Sequence, residues 1–290
     1  MTYQATLPYL IGLTLIIYAG QAHSEPSDFW THWSDGQAEV SSYTLTQPRY
    51  GEPREGRVDL IYVTEPFSRS KRVKVDRYEP DNPDHIIALK LNIVESWRMG
   101  VYEYRLMTSH FFDVQDQLTP LKTTFSSQEW CGVSFEESLW SEGGVSIQGR
   151  SYFEGESRAL KLPGQPLFTD QLLVWARGLL TGGPATLKAL PKHLIESPKR
   201  RFLRHRAPER YEASVTLQDP KQLESPLGSV EVYPVRYLLS GGEACTLEVE
   251  ARPPHRVMGW RCEGGERATL IKSDRAAYWR QTRRSDEPQP

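Results

Sequence analysis

The sequence predicts a mainly β fold, a large curved antiparallel sheet or half-open barrel with one short amphipathic helix. Three observations carry this. Ile87, Leu89, Leu91, Ile93 and Trp97 alternate with Ala88, Lys90, Asn92 and Ser96, the two-residue period of a strand with one buried face. Stretches of the same character recur along the chain, about a dozen in all. Only 170–180 shows a clear helical period instead.

In chain order, the first element is not part of that fold. No charged side chain occurs in 1–22, and 7–20 is an apolar run of 14 residues. A membrane-spanning helix needs about 20 apolar residues, so the run is too short for an anchor. It fits a secretory leader, with Gly20 and Ala22 as the small residues of a cleavage site after Ala22. The expectation is export to the periplasm or the medium, with a mature chain starting near His23 that does not span a membrane.

Strand-like stretches follow at 38–46, 57–63, 72–78, 87–97, 101–107, 121–130 and 145–153. The helix comes next. Leu172, Trp175, Ala176, Leu179 and Leu180 form an apolar stripe at i, i+3, i+4, i+7 and i+8. Thr169 is placed to cap it, Phe168 and Leu173 to staple it, and Gly182, Gly183 and Pro184 to end it, so the helix and its cap span 169–181. Residues 184–208 are rich in Pro, Lys and Arg without a period and read as a long connection. Strands resume at 211–217, 230–239, 245–251, 257–262 and 268–271. In 230–239 the apolar phase slips around Pro234, which predicts a bulge or an edge position. The tail 283–290 is charged, proline-bearing and read as disordered. A single domain over 23–282 is the simplest organisation. The alternative is two β blocks, 28–160 and 209–275, joined by the helix and the 184–208 linker.

Composition narrows the function classes. The 290 residues carry 35 Lys+Arg against 37 Asp+Glu, a net charge of -2, which gives no general argument for nucleic acid. The seven histidines are scattered, without H-E-x-x-H or C-x-x-C, and neither G-x-S-x-G nor a P-loop occurs, so no metal or cofactor is expected.

Three cysteines remain. Cys245 and Cys262 bracket a hairpin turning through Arg252-Pro253-Pro254-His255. Antiparallel pairing sets Leu247 opposite Trp260 and Val249 opposite Met258, all on one face. In an oxidising compartment this pair makes a disulfide worth about 3 kcal/mol; two buried thiols are the other reading. Cys131 is left over. A nucleophilic thiol needs a base, for which His110 and Glu129 are the candidates. The plainer reading is a strand end where Gly132 allows a turn.

Lys199, Arg200, Arg201, Arg204 and Arg206 form the sharpest charge feature, either an anion-binding patch for lipid headgroups or glycans or a solvated connection. Its Ser197-Pro198-Lys199-Arg200-Arg201 looks like the S-P-R-R element of the Maf nucleotide pyrophosphatases. In that family the element follows the first strand, and the acidic D-T and G-K-P elements come after it. Here it lies late in the chain and they do not follow, so the enzyme assignment fails.

A broader likeness rests on Ser41-Ser42-Tyr43, Gln47-Pro48-Arg49-Tyr50-Gly51-Glu52, Val63-Thr64-Glu65-Pro66-Phe67-Ser68, Met107-Thr108-Ser109, Ser127-Gln128-Glu129-Trp130-Cys131-Gly132 and Lys272-Ser273-Asp274-Arg275 with Tyr278-Trp279. These resemble a family of exported bacterial proteins of unknown function, some labelled "septum formation inhibitor Maf", a label the missing Maf elements make a misnomer. The resemblance implies a β-rich envelope or secreted protein and supplies no activity. The leading expectation is therefore a non-catalytic binder of a lipid or other amphipathic molecule. Leu172, Trp175 and Leu179 would line a lid over Trp97 and Ile93 on the sheet. The alternatives are a thiol-dependent enzyme using Cys131 and an interaction protein that holds envelope partners by strand edges or the basic run.

Overall fold

A computed structural model describes residues 27–187 and 191–286. The expected leader, 1–22, and residues 287–290 of the expected tail lie outside the described residues. The strands are β1 (Ala38–Arg49), β2 (Glu52–Ser68), β3 (Val73–Lys74), β4 (His85–Met99), β5 (Tyr102–Asp113), β6 (Thr119–Glu129), β7 (Gly132–Ser141), β8 (Gly144–Arg150), β9 (Arg158–Leu162), β10 (Leu167–Phe168), β11 (His193–Ile195), β12 (Arg210–Leu217), β13 (Lys221–Ser225), β14 (Gly228–Leu239), β15 (Ala244–Glu250), β16 (Val257–Cys262) and β17 (Arg267–Ala276). Among the described residues three short α-helices accompany them: α1 (Ser27–Trp33), α2 (Leu172–Trp175) and α3 (Pro198–Arg204).

All the strands belong to one sheet. From β9, antiparallel ladders run through β8, β7, β6, β5 and β4 to β2 and β1. β1 then pairs with β17, and the ladders continue through β16, β15, β14 and β12 to β11. A parallel β10–β11 pair makes the sheet mixed. No ladder among the described residues joins β9 to β10, so the sheet stays open. Side chains span that gap: Trp140, Val145 and Ile147 pack with Phe168 and Ile195, and Trp140 Nε1 donates to Pro166 O at 3.1 Å. No helix among the described residues is long and apolar enough to cross a membrane.

The strands form where the two-residue period predicts. Leu89, Leu91, Ile93 and Trp97 of β4 are buried on one face. On the other, Val94 and Arg98 are exposed but Ile86, Ala88 and Asn92 are buried as well, Ile86 and Ala88 against Phe67 and Leu121. The single buried face expected for this strand therefore holds only over its second half. Trp97 stacks on its cross-strand neighbour Tyr104 at 5.2 Å, and Tyr43 meets Trp260 at 5.3 Å. Tight turns make the long hairpins possible. Tyr50 and Gly51, both at positive φ, link β1 to β2, a conformation glycine enters without strain.

Several expectations change. In 72–78 only Val73–Lys74 is strand, and the 145–153 stretch stops at Arg150. The strands β7, β9, β10, β11 and β13 carry no clear period. Pro234 sits in no bulge. Its β15 register is continuous, and β13 gives way to β12 beside it, so its missing N–H removes no ladder bond there. The 169–181 helix is a 3-10 turn, Thr169–Gln171, followed by a single α turn. Leu172, Leu173 and Val174 are all buried, so the segment is enclosed on every side rather than laid over the sheet. The Gln171 side chain caps it by accepting from Phe168 N–H at 2.9 Å, while Thr169 Oγ1 accepts from Ser197 N–H at 3.0 Å.

The supposed connection 184–208 also changes, since it holds β11 and α3. Ser197 caps α3 by accepting from Arg200 N–H, and Pro198 occupies its first turn. The side chains of α3 reach β4, β7, β15 and β16, so the helix lies in the concavity of the sheet.

Candidate functional site

A roomy cavity opens beside α1. The helix is amphipathic in miniature. Phe29 and Trp33, four residues apart, are buried and pack together, and Trp33 meets Tyr62 of β2 at 6.3 Å. A second wall is the turn after α2, with Leu179 and Gly182. The third is the tip of the β15–β16 hairpin, with Ala251, Pro253, Pro254 and His255. Together with Thr31 and His32 these residues border about 580 Å³. That is the size range of small-molecule sites, about 300–1,000 Å³, and the lining is mainly apolar.

An ionic cluster underlies it. Arg177, fully buried, binds Glu39 through two hydrogen bonds of 2.8 and 3.0 Å and donates from Nη2 to Pro254 O at 2.8 Å. Its guanidinium lies 4.5 Å from the centre of the Tyr62 ring. His32 Nε2 is 3.3 Å from Glu39 Oε2. Burial pushes the Glu39 carboxyl up, but Arg177 and His32 outweigh it and hold it at about 2. Burial lowers the pKa of His255, which keeps that ring neutral. The cluster fixes the turn after α2 against the hairpin tip, and so sets the shape of the cavity.

Deeper inside lies a second cluster around α3. Lys199 Nζ is 2.7 Å from Glu95 and 3.2 Å from Glu266. Arg200 faces Glu266 and Glu243 and donates to the sulfurs of Cys245 and Cys262. Arg201 forms two hydrogen bonds with Glu136, at 2.9 and 2.6 Å. Burial pushes both Glu95 and Glu266 up. Glu266 has two cations and the Trp260 N–H and is held at about 2, whereas Glu95, with Lys199 alone, stays raised. The cavity here is only about 50 Å³, room for water and little else.

The residues singled out from sequence divide accordingly. Leu179 lines the large cavity, and Trp175 packs at the margin of the core. Leu172, Trp97 and Ile93 are core side chains, with Ile93 bordering only the small cavity. The basic run is no exposed patch: Lys199, Arg200 and Arg201 are buried against carboxylates, and Arg204 pairs with Glu196 and Glu243. Arg206 alone is exposed without an ion pair, beside Glu156 and Arg150. Burial is what composition could not reveal, because the partner carboxylates come from distant strands.

Cys131 is a free, exposed thiol at the β6–β7 turn, next to Glu129 at the end of β6. His110 is fully buried on β5, bonded through Nδ1 to Thr123 at 2.7 Å, with Nε2 3.3 Å from Asp170 but not aligned for a hydrogen bond. Thr123 lies about 25 Å from Cys131 along β6 and its turn, so thiol and imidazole do not meet. Cys245 and Cys262 are opposite one another at disulfide-bonding distance, as their spacing predicts. Leu247 faces Trp260, but a register shift after Glu248 brings Val249 opposite Val257 rather than Met258. Phe29, Trp33, His32 and His255 are the site residues sequence reasoning missed. The Phe29–Trp33 spacing ahead of the first strand was the available signal.

No protein-family model matches the chain, and neither does any of the curated proteins. Among solved structures it is similar to a β-barrel-like protein of a domain of unknown function, DUF1849, from Brucella abortus. The two share 12% identity at a TM-score of 0.49, over 82% of this chain and 98% of that one. These comparisons lend no support to the septum-formation label.

Proposed function

We propose that this is an exported envelope protein, a non-catalytic binder of an apolar or amphipathic small molecule held in the cavity beside α1. The observation that carries the reading is the cavity itself, about 580 Å³ with Phe29, Trp33, Leu179, Pro253 and Pro254 around it. Buried apolar surface contributes about 25 cal/mol per Å² on transfer from water, so an alkyl chain of ten or so carbons gains several kcal/mol there. Two observations support export: the uncharged apolar leader, 1–22, and a cysteine pair at disulfide distance. The β1–β17 ladder, which ties the first block of strands to the last, supports one domain over 23–282.

The test is binding of the fluorescent probe N-phenyl-1-naphthylamine to the purified protein and to Leu179→Arg. Saturable binding by the wild type, lost in a variant of unchanged circular dichroism, is the expected result. No binding by the wild type would remove the reading.

A further inference from the structure

Building on the cavity reading, we infer that the ligand's polar end is an uncharged hydroxyl, and that it donates a hydrogen bond to Nε2 of His255. Three features of the site lead there. His255 Nδ1 lies 3.1 Å from the Glu250 carbonyl oxygen. A carbonyl only accepts, so Nδ1 carries the proton, and a neutral ring is left with its lone pair on Nε2. The buried environment favours the neutral ring.

The ring is also held in place. A Cβ on Gly183 would come within 2.5 Å of His255 Cε1 and 2.7 Å of Nε2, so only glycine leaves room for the imidazole at that wall. Gly183 is itself at φ 105, where other residues are strained. The acceptor is therefore positioned before a ligand arrives, which lowers the entropic cost of recognition.

The third feature is the state of the cations. Among the described residues, the basic ones lining the cavity are His32 and His255. His32 pairs with Glu39, and the Arg177 behind the wall spends both terminal nitrogens on Glu39 and Pro254 O. Among the described lining residues a carboxylate headgroup would meet no uncommitted cation; Arg252, exposed at the hairpin tip between Ala251 and Pro253, is not one of them. A hydroxyl is far cheaper to desolvate and finds an acceptor.

The experiment measures displacement of N-phenyl-1-naphthylamine at about pH 8 by 1-dodecanol, by dodecyl methyl ether and by dodecanoate. The ether is more apolar than the alcohol but has no donor. The expected order is alcohol tightest, by about fivefold over the ether, with dodecanoate weakest. In His255→Asn the alcohol's advantage over the ether disappears; asparagine tolerates the φ of 59 at that position but is too short to reproduce the imidazole's reach. An ether that matches or beats the alcohol on the wild type, or dodecanoate binding tightest, would overturn the inference and leave the cavity reading intact. Failure of the probe to bind the wild type would overturn both. The wild-type comparison decides even if the variant does not fold.

Discussion

Two buried ionic clusters sit on the same face of the sheet, one at Glu39 of β1 and one at Glu95 of β4, and the space around them differs about tenfold. At the first, Glu39 has Arg177 and His32, and about 580 Å³ opens beyond them. At the second, Lys199 is shared by Glu95 and Glu266, and α3 fills the concavity down to about 50 Å³. The difference teaches that buried charge alone does not mark a site here. In the inner cluster the charges anchor a helix. In the outer one they brace walls that leave room for a guest.

The largest effect expected is from breaking the outer pair. Arg177→Met leaves Glu39 buried without its strongest partner and costs about 3–5 kcal/mol in urea unfolding. The double variant Glu39→Gln/Arg177→Met should cost less than that single change, because no lone charge is left inside. In the inner cluster, Glu266→Gln should destabilise more than Glu95→Gln at neutral pH. Glu266 serves two cations, whereas burial already disfavours the charged form of Glu95.

Next in size is the cysteine pair. Replacing Cys245 and Cys262 together by serine should cost about 3 kcal/mol, read as a lower Tm, and reductant should lower the wild-type Tm similarly. Acid sharpens the comparison. Glu39 and Glu266 are held at about 2 from an ordinary 4.5. A depressed carboxyl pKa stabilises fully above pH 4.5, and that contribution is lost as pH falls toward 2. Glu95, raised, acts in the opposite sense and favours the fold at low pH. With two buried depressed carboxylates against one raised, and Asp35 and Asp84 also lowered at the surface, unfolding followed by circular dichroism should set in below pH 4.5. The smallest effect is at the surface: Cys131→Ser should change stability by no more than about 0.5 kcal/mol, and Cys131 should alkylate readily in the folded protein.

Much of the sheet was legible because a half-buried strand writes its environment into alternate residues, as β4 does from Leu89 to Trp97. The hairpin of Cys245 and Cys262 was legible for the same reason, up to the register shift after Glu248. The interior was not. Lys199, Arg200 and Arg201 look like a solvated run until Glu95, Glu266 and Glu136 arrive from three other parts of the chain, and no local pattern encodes that meeting. The cavity was legible only through Leu179. Its remaining walls come from α1 and a hairpin tip more than two hundred residues apart, which only the closure of β1 on β17 brings near one another.

The most direct test of the central claim is native mass spectrometry on protein taken from the periplasm of a Gram-negative host. The account predicts a chain beginning near His23, two hydrogens light, carrying a small molecule that organic solvent removes and that Leu179→Arg no longer retains. A wild-type chain that carries no such mass and takes up none when supplied with 1-dodecanol would contradict it.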